Sequence, residues 1–175
     1  MSYLLCISGS LRRESTNTKL VRAAAASFGG DMQEANLRLP LYDGDLEEAE
    51  GIPADVQKLA DQIAGARAVV ISGPEYNKSI SGVLKNALDW VSRTDGNPWR
   101  DKPVAIMSAA AGRAGGERTQ FALRLCLMPF RPRLLQGPEV LLANSANEFN
   151  EDGTLKGEFI QKLLDELMAD LRAIS

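Results

Sequence analysis

The stretch Tyr3-Leu4-Leu5-Cys6-Ile7, running into Ser8-Gly9-Ser10, decides the fold. Its apolar residues follow one another without polar alternation, which describes a strand buried on both faces. The small residues after it describe a loop. From Thr18 the spacing changes, and Leu20, Val21, Ala24, Ala25 and Phe28 recur at helical intervals. Ser15, Thr16 and Asn17 stand just before that run as N-cap candidates, and Gly29-Gly30 stops it.

The same unit repeats along the chain. Residues 32–39 form a weaker, half-alternating strand candidate. Residues 43–50 are acidic without a basic residue and read as a solvated loop. Pro53 opens a helix with Val56, Leu59, Ala60 and Ile63 on one face. Residues 68–72 are a second buried strand, broken by Gly73-Pro74-Glu75-Tyr76-Asn77-Lys78. A helix then buries Val83, Leu84, Ala87, Leu88 and Val91. After the turn-rich residues 94–99, residues 104–107 are a third buried strand, ending in the small-residue loop 108–116. A helix over 117–128 is stopped by Pro129 and Pro132, and residues 139–142 are a fifth strand. The closing helix carries Phe159, Ile160, Leu163, Leu164, Leu167, Met168 and Leu171. Strands alternating with helices in this way predict an α/β fold, a doubly wound parallel sheet in three αβα layers. No linker or repeat divides residues 1–175, so one domain is expected.

Composition narrows the chemistry. The 175 residues include 20 Lys and Arg, 23 Asp and Glu, and no histidine, for a net charge of −3. Serine-hydrolase triads, papain-like Cys–His pairs and His-containing metal sites need an imidazole, so the sequence excludes them. Catalysis falls to carboxylates, Lys, Tyr, Cys or a cofactor. The acidic balance argues against nucleic acid or an anionic membrane as partner. Cys6 and Cys126 are too few for a disulfide framework and read as small buried hydrophobes. No apolar run approaches the roughly 18 residues of a membrane span. Residues 3–7 lack the basic flank and the length of a signal peptide. The expectation is a cytoplasmic protein.

In doubly wound sheets, ligands bind at the carboxyl ends of the strands. The first loop there, residues 9–17, meets a helix N-terminus, where free N–H groups and the dipole favour an anion. Ser10, Ser15 and Asn17 add neutral donors, and Arg12 adds a charged fork suited to phosphate. The same residues also make a capped helix with solvent-facing arginines. The second loop offers Tyr76 for stacking and polar groups for the edge of a flat heteroaromatic ligand. It equally makes a Pro-initiated turn with a helix cap. The third loop, Ser108-Ala109-Ala110-Ala111-Gly112-Arg113-Ala114-Gly115-Gly116, lets backbone approach a ligand closely. It also reads as a flexible connection.

These loops resemble the NAD(P)H-dependent FMN reductase family, a flavodoxin-like group that includes chromate, quinone and some azo reductases. Gly9-Ser10-Leu11-Arg12 with Ser15 and Asn17 matches its G-S-L-R-x-x-S-x-N motif. Pro74-Glu75-Tyr76-Asn77, Ser79, Gly82, Leu84-Lys85-Asn86-Ala87, Asp89-Trp90 and Ser92-Arg93 match its second signature. Gly115-Gly116, Arg118 and Gln120 match its third, G-G-x-R-x-Q. The resemblance implies a five-stranded flavodoxin-like sheet of order 2-1-3-4-5. It implies that Ser10, Arg12, Ser15, Thr16 and Asn17 hold the FMN phosphate. Pro74, Glu75, Tyr76, Asn77 and Lys78 would line the isoalloxazine and ribityl chain, largely through backbone groups. Ser108 and Ala110 would meet the flavin from the third loop. Relatives often carry a hydroxyl where this chain has Ala110, which leaves a backbone N–H for that contact.

The implied activity is hydride transfer from NADH or NADPH to FMN, then reduction of a quinone or similar acceptor such as chromate, an azo compound or a ferric species, in ping-pong order. The flavin carries that chemistry, so no catalytic side chain and no metal are expected. Two other readings are a flavodoxin-type electron carrier and an FMN-binding redox-sensing interaction protein. Relatives are oligomeric, which implies a homodimer or homotetramer. The helix after Ser81 and residues 94–99, with Trp90 and Trp99, are candidate contact surfaces, while Trp90 also reads as a buried core residue.

Overall fold

The computed structural model describes residues 3–175. Its strands are β1 (Leu4–Ser8), β2 (Met32–Glu34), β3 (Ala68–Gly73), β4 (Pro103–Ala109), β5 (Arg133–Leu134) and β6 (Val140–Leu142). They form one parallel sheet of order β2-β1-β3-β4-β5, with β6 also on β4. This is the expected 2-1-3-4-5 order with its last position divided. β5 pairs with Pro103 and Val104 at the start of β4, and β6 pairs with Met107, Ser108 and Ala109 at its end. Between them the Arg124 guanidinium donates to the carbonyls of Leu135 and Gln136. A side chain thus serves backbone groups that no strand partner reaches. The spacing finds β6 but not β5, because two residues after a proline carry no period.

The central strands sort their side chains by alternation. Leu4, Cys6, Ala68, Val70, Ala105 and Met107 face one core, while Leu5, Ile7, Val69, Ile71, Val104 and Ile106 face the other. Helices α1 (Thr16–Phe28) and α6 (Glu158–Ala173) cover the first face. Helices α3 (Ala54–Gly65), α4 (Gly82–Val91) and α5 (Glu117–Leu127) cover the second. Each fully buried Leu, Ile or Val contributes about 1.5–3 kcal/mol of transfer free energy. Burial also pushes the Cys6 thiol up to about 12, with Glu34 adding to the shift, so it stays neutral.

Four expectations change. Residues 43–50 are not a loop, because Gly44–Glu50 forms helix α2, with Asp43 accepting from the Asp45 N–H as its N-cap. Its first-turn acids suit the positive end of the helix dipole. β2 stops at Glu34, and the chain beyond it is an irregular strap. Trp90 Nε1 and Asn86 Nδ2 both donate to the Pro40 carbonyl in that strap, and Tyr42 packs edge-on against Trp90 at 5.0 Å. Trp90 and Trp99 are therefore core residues, 0% and 2% exposed, and cannot be contact surfaces. Phe159, placed on the buried face of the closing helix, is exposed in its first turn.

Candidate functional site

Register places the site. Ser8 pairs with Ser72 across β1 and β3, and Gly73 pairs with Ser108 across β3 and β4. The strands end at one level, so their loops leave side by side. β6 ends beside them, with Leu142 opposite Ala109. A fourth loop, residues 143–147, therefore joins the three that the sequence singles out. It contributes Ser145, whose hydroxyl lies 3.0 Å from that of Thr16. The available signal was Asn144-Ser145 just after the fifth strand, a short polar pair with no motif to single it out.

Hydrogen bonds lock these loops together. The Gly9 N–H donates to the Ser72 carbonyl, and Ser81, the N-cap of α4, donates its hydroxyl to the Gly9 carbonyl at 2.6 Å. Asn17 is 3% exposed and ties the start of α1 to the ends of β3 and β4. Its Oδ1 accepts from Ser72 Oγ and the Ala109 N–H, and its Nδ2 donates to the Ala109 carbonyl. Glu75 crosses to α5, where its carboxylate accepts from the Arg118 N–H and pairs with the Arg118 guanidinium at 3.5 Å. The N-cap of α5 is Gly116, without a side chain, so a carboxylate from the neighbouring loop supplies the cap.

The third loop is closed from beneath. Ser108 is fully buried, donating to the Gly115 carbonyl and accepting from Gln120 Nε2. A Cβ on Gly115 would stand 2.6 Å from the Leu141 carbonyl carbon, and Gly116 holds φ +90°. The glycine pair of the third motif is thus required by close approach and by the left-handed backbone.

Between the loops lies an open cleft of about 430 Å³. Ser10, Arg12, Ser15, Thr16, Asn17, Pro74, Glu75, Tyr76 and Ala110 line it, as does Ser145. Asn77, Lys78 and Ser108 do not. Asn77 and Lys78 hold φ values of 50° and 66° and form the centre of a tight turn, closed by mutual hydrogen bonds between Tyr76 and Ser79. Positive φ at both central residues is the type I′ geometry, which turns their side chains outward and leaves Tyr76 half-exposed at the rim. Ala110 also departs from expectation. Its N–H donates to the Leu142 carbonyl at 3.0 Å, so it has no backbone donor left for a ligand. The N–H groups of Ala111 and Gly112, one step further on, have no protein acceptor among the described residues.

One end of the cleft is a donor site. Ser15 caps α1, accepting from the Thr18 N–H. The N–H groups of Thr16 and Asn17 have no protein acceptor among the described residues. Arg12 is exposed, and its guanidinium forms no ion pair among the described residues. Unused donors, a helix dipole and a free guanidinium fit a phosphate monoester. The other end, walled by Tyr76 and Ala109-Ala110-Ala111, is mostly apolar and fits a planar ring. A different cleft of about 460 Å³, lined by Trp99, Cys126 and Phe130, lies towards the amino ends of the strands, away from these loops.

The chain is similar to known proteins over most of its length. The family model described as NADPH-dependent FMN reductase matches residues 3–147. An NAD(P)H-dependent FMN reductase of Pseudomonas aeruginosa is 37% identical over 172 residues, covering 97% of this chain and 92% of the relative. A quinone reductase of Escherichia coli is 39% identical over 170 residues, covering 94% of this chain and 89% of the relative. Among solved structures, the flavoenzyme NAD(P)H:(acceptor) oxidoreductase FerB of Paracoccus denitrificans superposes with a TM-score of 0.86 at 30% identity, covering 99% of this chain and 98% of that one. By the extent of these matches, the chain belongs to the NADPH-dependent FMN reductase family.

Proposed function

We propose that the protein is an FMN-dependent NAD(P)H oxidoreductase whose acceptors are quinones and, through the same open cleft, chromate, azo compounds or ferric species. The observation that carries this reading is the pairing of a phosphate-type donor site with an apolar, ring-sized wall in one cleft. Arg12 and the free N–H groups of Thr16 and Asn17 bind the FMN phosphate, with Ser10 and Ser15 beside them. Pro74 and Tyr76 flank the ring, and Ala111 and Gly112 present backbone donors to it. When bound, FMN supplies a two-electron relay that accepts hydride from the nicotinamide and passes electrons to the acceptor. The chain positions the substrates and sets the local field. One open cleft receives donor and acceptor in turn, so the kinetics are ping-pong.

The whole chain works as one unit in the cytoplasm, where nicotinamide coenzymes are re-reduced. Phe121, Leu125 and Met128 on the outer face of α5 and the turn after it are 56%, 68% and 68% exposed, at helical spacing. They form the surface on which a homodimer or homotetramer would be built. Light scattering should then give a multiple of 19.0 kDa. A monomer alone would remove the oligomer from the proposal.

The test of function is steady-state turnover. Protein loaded with FMN should oxidise NADH or NADPH with a simple benzoquinone and no partner reductase, giving parallel double-reciprocal lines. No turnover without an added reductase would make it an electron carrier instead.

A further inference from the structure

A second cleft adjoins the first. It measures about 450 Å³ and shares Ser10, Arg12 and Tyr76 with the flavin cleft. Its remaining walls come from the first loop, the start of α4 and Arg38 of the strap. Arg12 and Arg38 are the charged residues that line it, and no carboxylate does. Neither guanidinium forms an ion pair among the described residues.

Arg38 is held in place from both sides. Leu37 is buried and Leu39 packs against the same core, which fixes the strap on either side of it. Its N–H donates to Asn36 Oδ1, and its Nη2 donates to the Leu11 carbonyl at 3.1 Å. That second bond docks the guanidinium on the first loop and leaves most of its donors unused. The chain as a whole carries a charge of −3, which repels a polyanion. A cleft whose charges are two unpaired guanidinium groups is the local exception.

We propose that this cleft receives a phosphate of the nicotinamide dinucleotide, with Arg38 as a specificity-determining residue. The inference rests on the flavin reading of the adjoining cleft. The FMN phosphate takes Arg12 and the α1 N-terminus, which leaves the Arg38 guanidinium without an anion, and a quinone brings none. The dinucleotide brings the remaining phosphates, and the planar fork of Arg suits them in a way that a point charge does not.

The test compares the FMN-loaded wild type with Arg38→Ala and Arg38→Lys. Arg38 is exposed and outside the core, so both variants should fold. For Arg38→Ala, KM for the dinucleotide should rise about tenfold or more, with kcat, quinone KM and FMN affinity unchanged. Arg38→Lys should recover only part of the loss. Calorimetric binding of ADP-ribose and of adenosine 2′,5′-bisphosphate provides a readout without turnover, and binding should weaken in the same order. A rise for NADH and NADPH alike assigns the contact to the pyrophosphate, and a rise for NADPH alone assigns it to the 2′-phosphate. Unchanged KM values in a variant that binds FMN and turns over would overturn the inference. So would loss of FMN affinity in Arg38→Ala, which would give the residue to the flavin phosphate. Failure of the wild type to bind FMN would instead remove the flavin reading itself.

Discussion

Arg12 in the first loop and Asn17 in the first turn of α1 do opposite kinds of work. Asn17 is buried, and its side chain bonds Ser72 and Ala109. Replacing it with Ala removes the partner of the Ser72 hydroxyl and of the Ala109 N–H and carbonyl. Asn17→Ala should cost about 2–4 kcal/mol, read by denaturant unfolding. Arg12 is exposed with no ion-pair partner among the described residues. Arg12→Ala should leave stability within about 0.5 kcal/mol of wild type while weakening FMN binding by about 1.5–3 kcal/mol, read by flavin fluorescence titration. An unchanged FMN affinity would remove Arg12 from the site. Both residues are legible in the sequence as a polar cluster before a helix. Their division of labour is not, because it depends on residue 109 meeting residue 17 across the sheet. Ser108 and Ala110 show the same limit: burial and the pairing of β6 with β4 decide what their polar groups touch.

The strap and α2 are the elements that sequence spacing reads least well. They carry little apolar pattern and are held from outside by the second signature's own residues. Asn86 and Trp90 clamp Pro40, and the Arg93 guanidinium bonds both Glu47 oxygens at 3.1 and 3.0 Å. The long motif on α4 is thus partly a strap-holding device. The Arg93 guanidinium, with the Tyr42 hydroxyl, holds the Glu47 carboxyl below its ordinary value. A carboxyl depressed in the folded state contributes stability at neutral pH and loses it as pH falls through that depressed value. The strap should therefore loosen only on strong acidification. Trp90, with Tyr42 against its edge, is the reporter. Its emission should shift red below the ordinary carboxylate range, and Glu47→Gln should abolish that step. A variant with the same acid transition as wild type would show that the pair does not hold the strap.

At the scale of the whole molecule, the alternating buried strands made the fold legible, because runs without polar residues have few places to go except a sheet covered on both faces. The division of its last strand was not legible, since β5 is only two residues long. The site followed from the fold: strands ending in register bring separate loops to one cleft, and the motif residues supply its donors. The absence of histidine fits this arrangement, since hydride and electrons can pass through a bound flavin without an imidazole. The most direct test is an anaerobic spectroscopic titration of the purified protein with FMN, followed by NAD(P)H and then a quinone. The flavin should bind one per chain, lose its visible absorbance on adding NAD(P)H, and regain it on adding quinone. Flavin that stays free in solution, or that binds and is not bleached, would contradict the assignment.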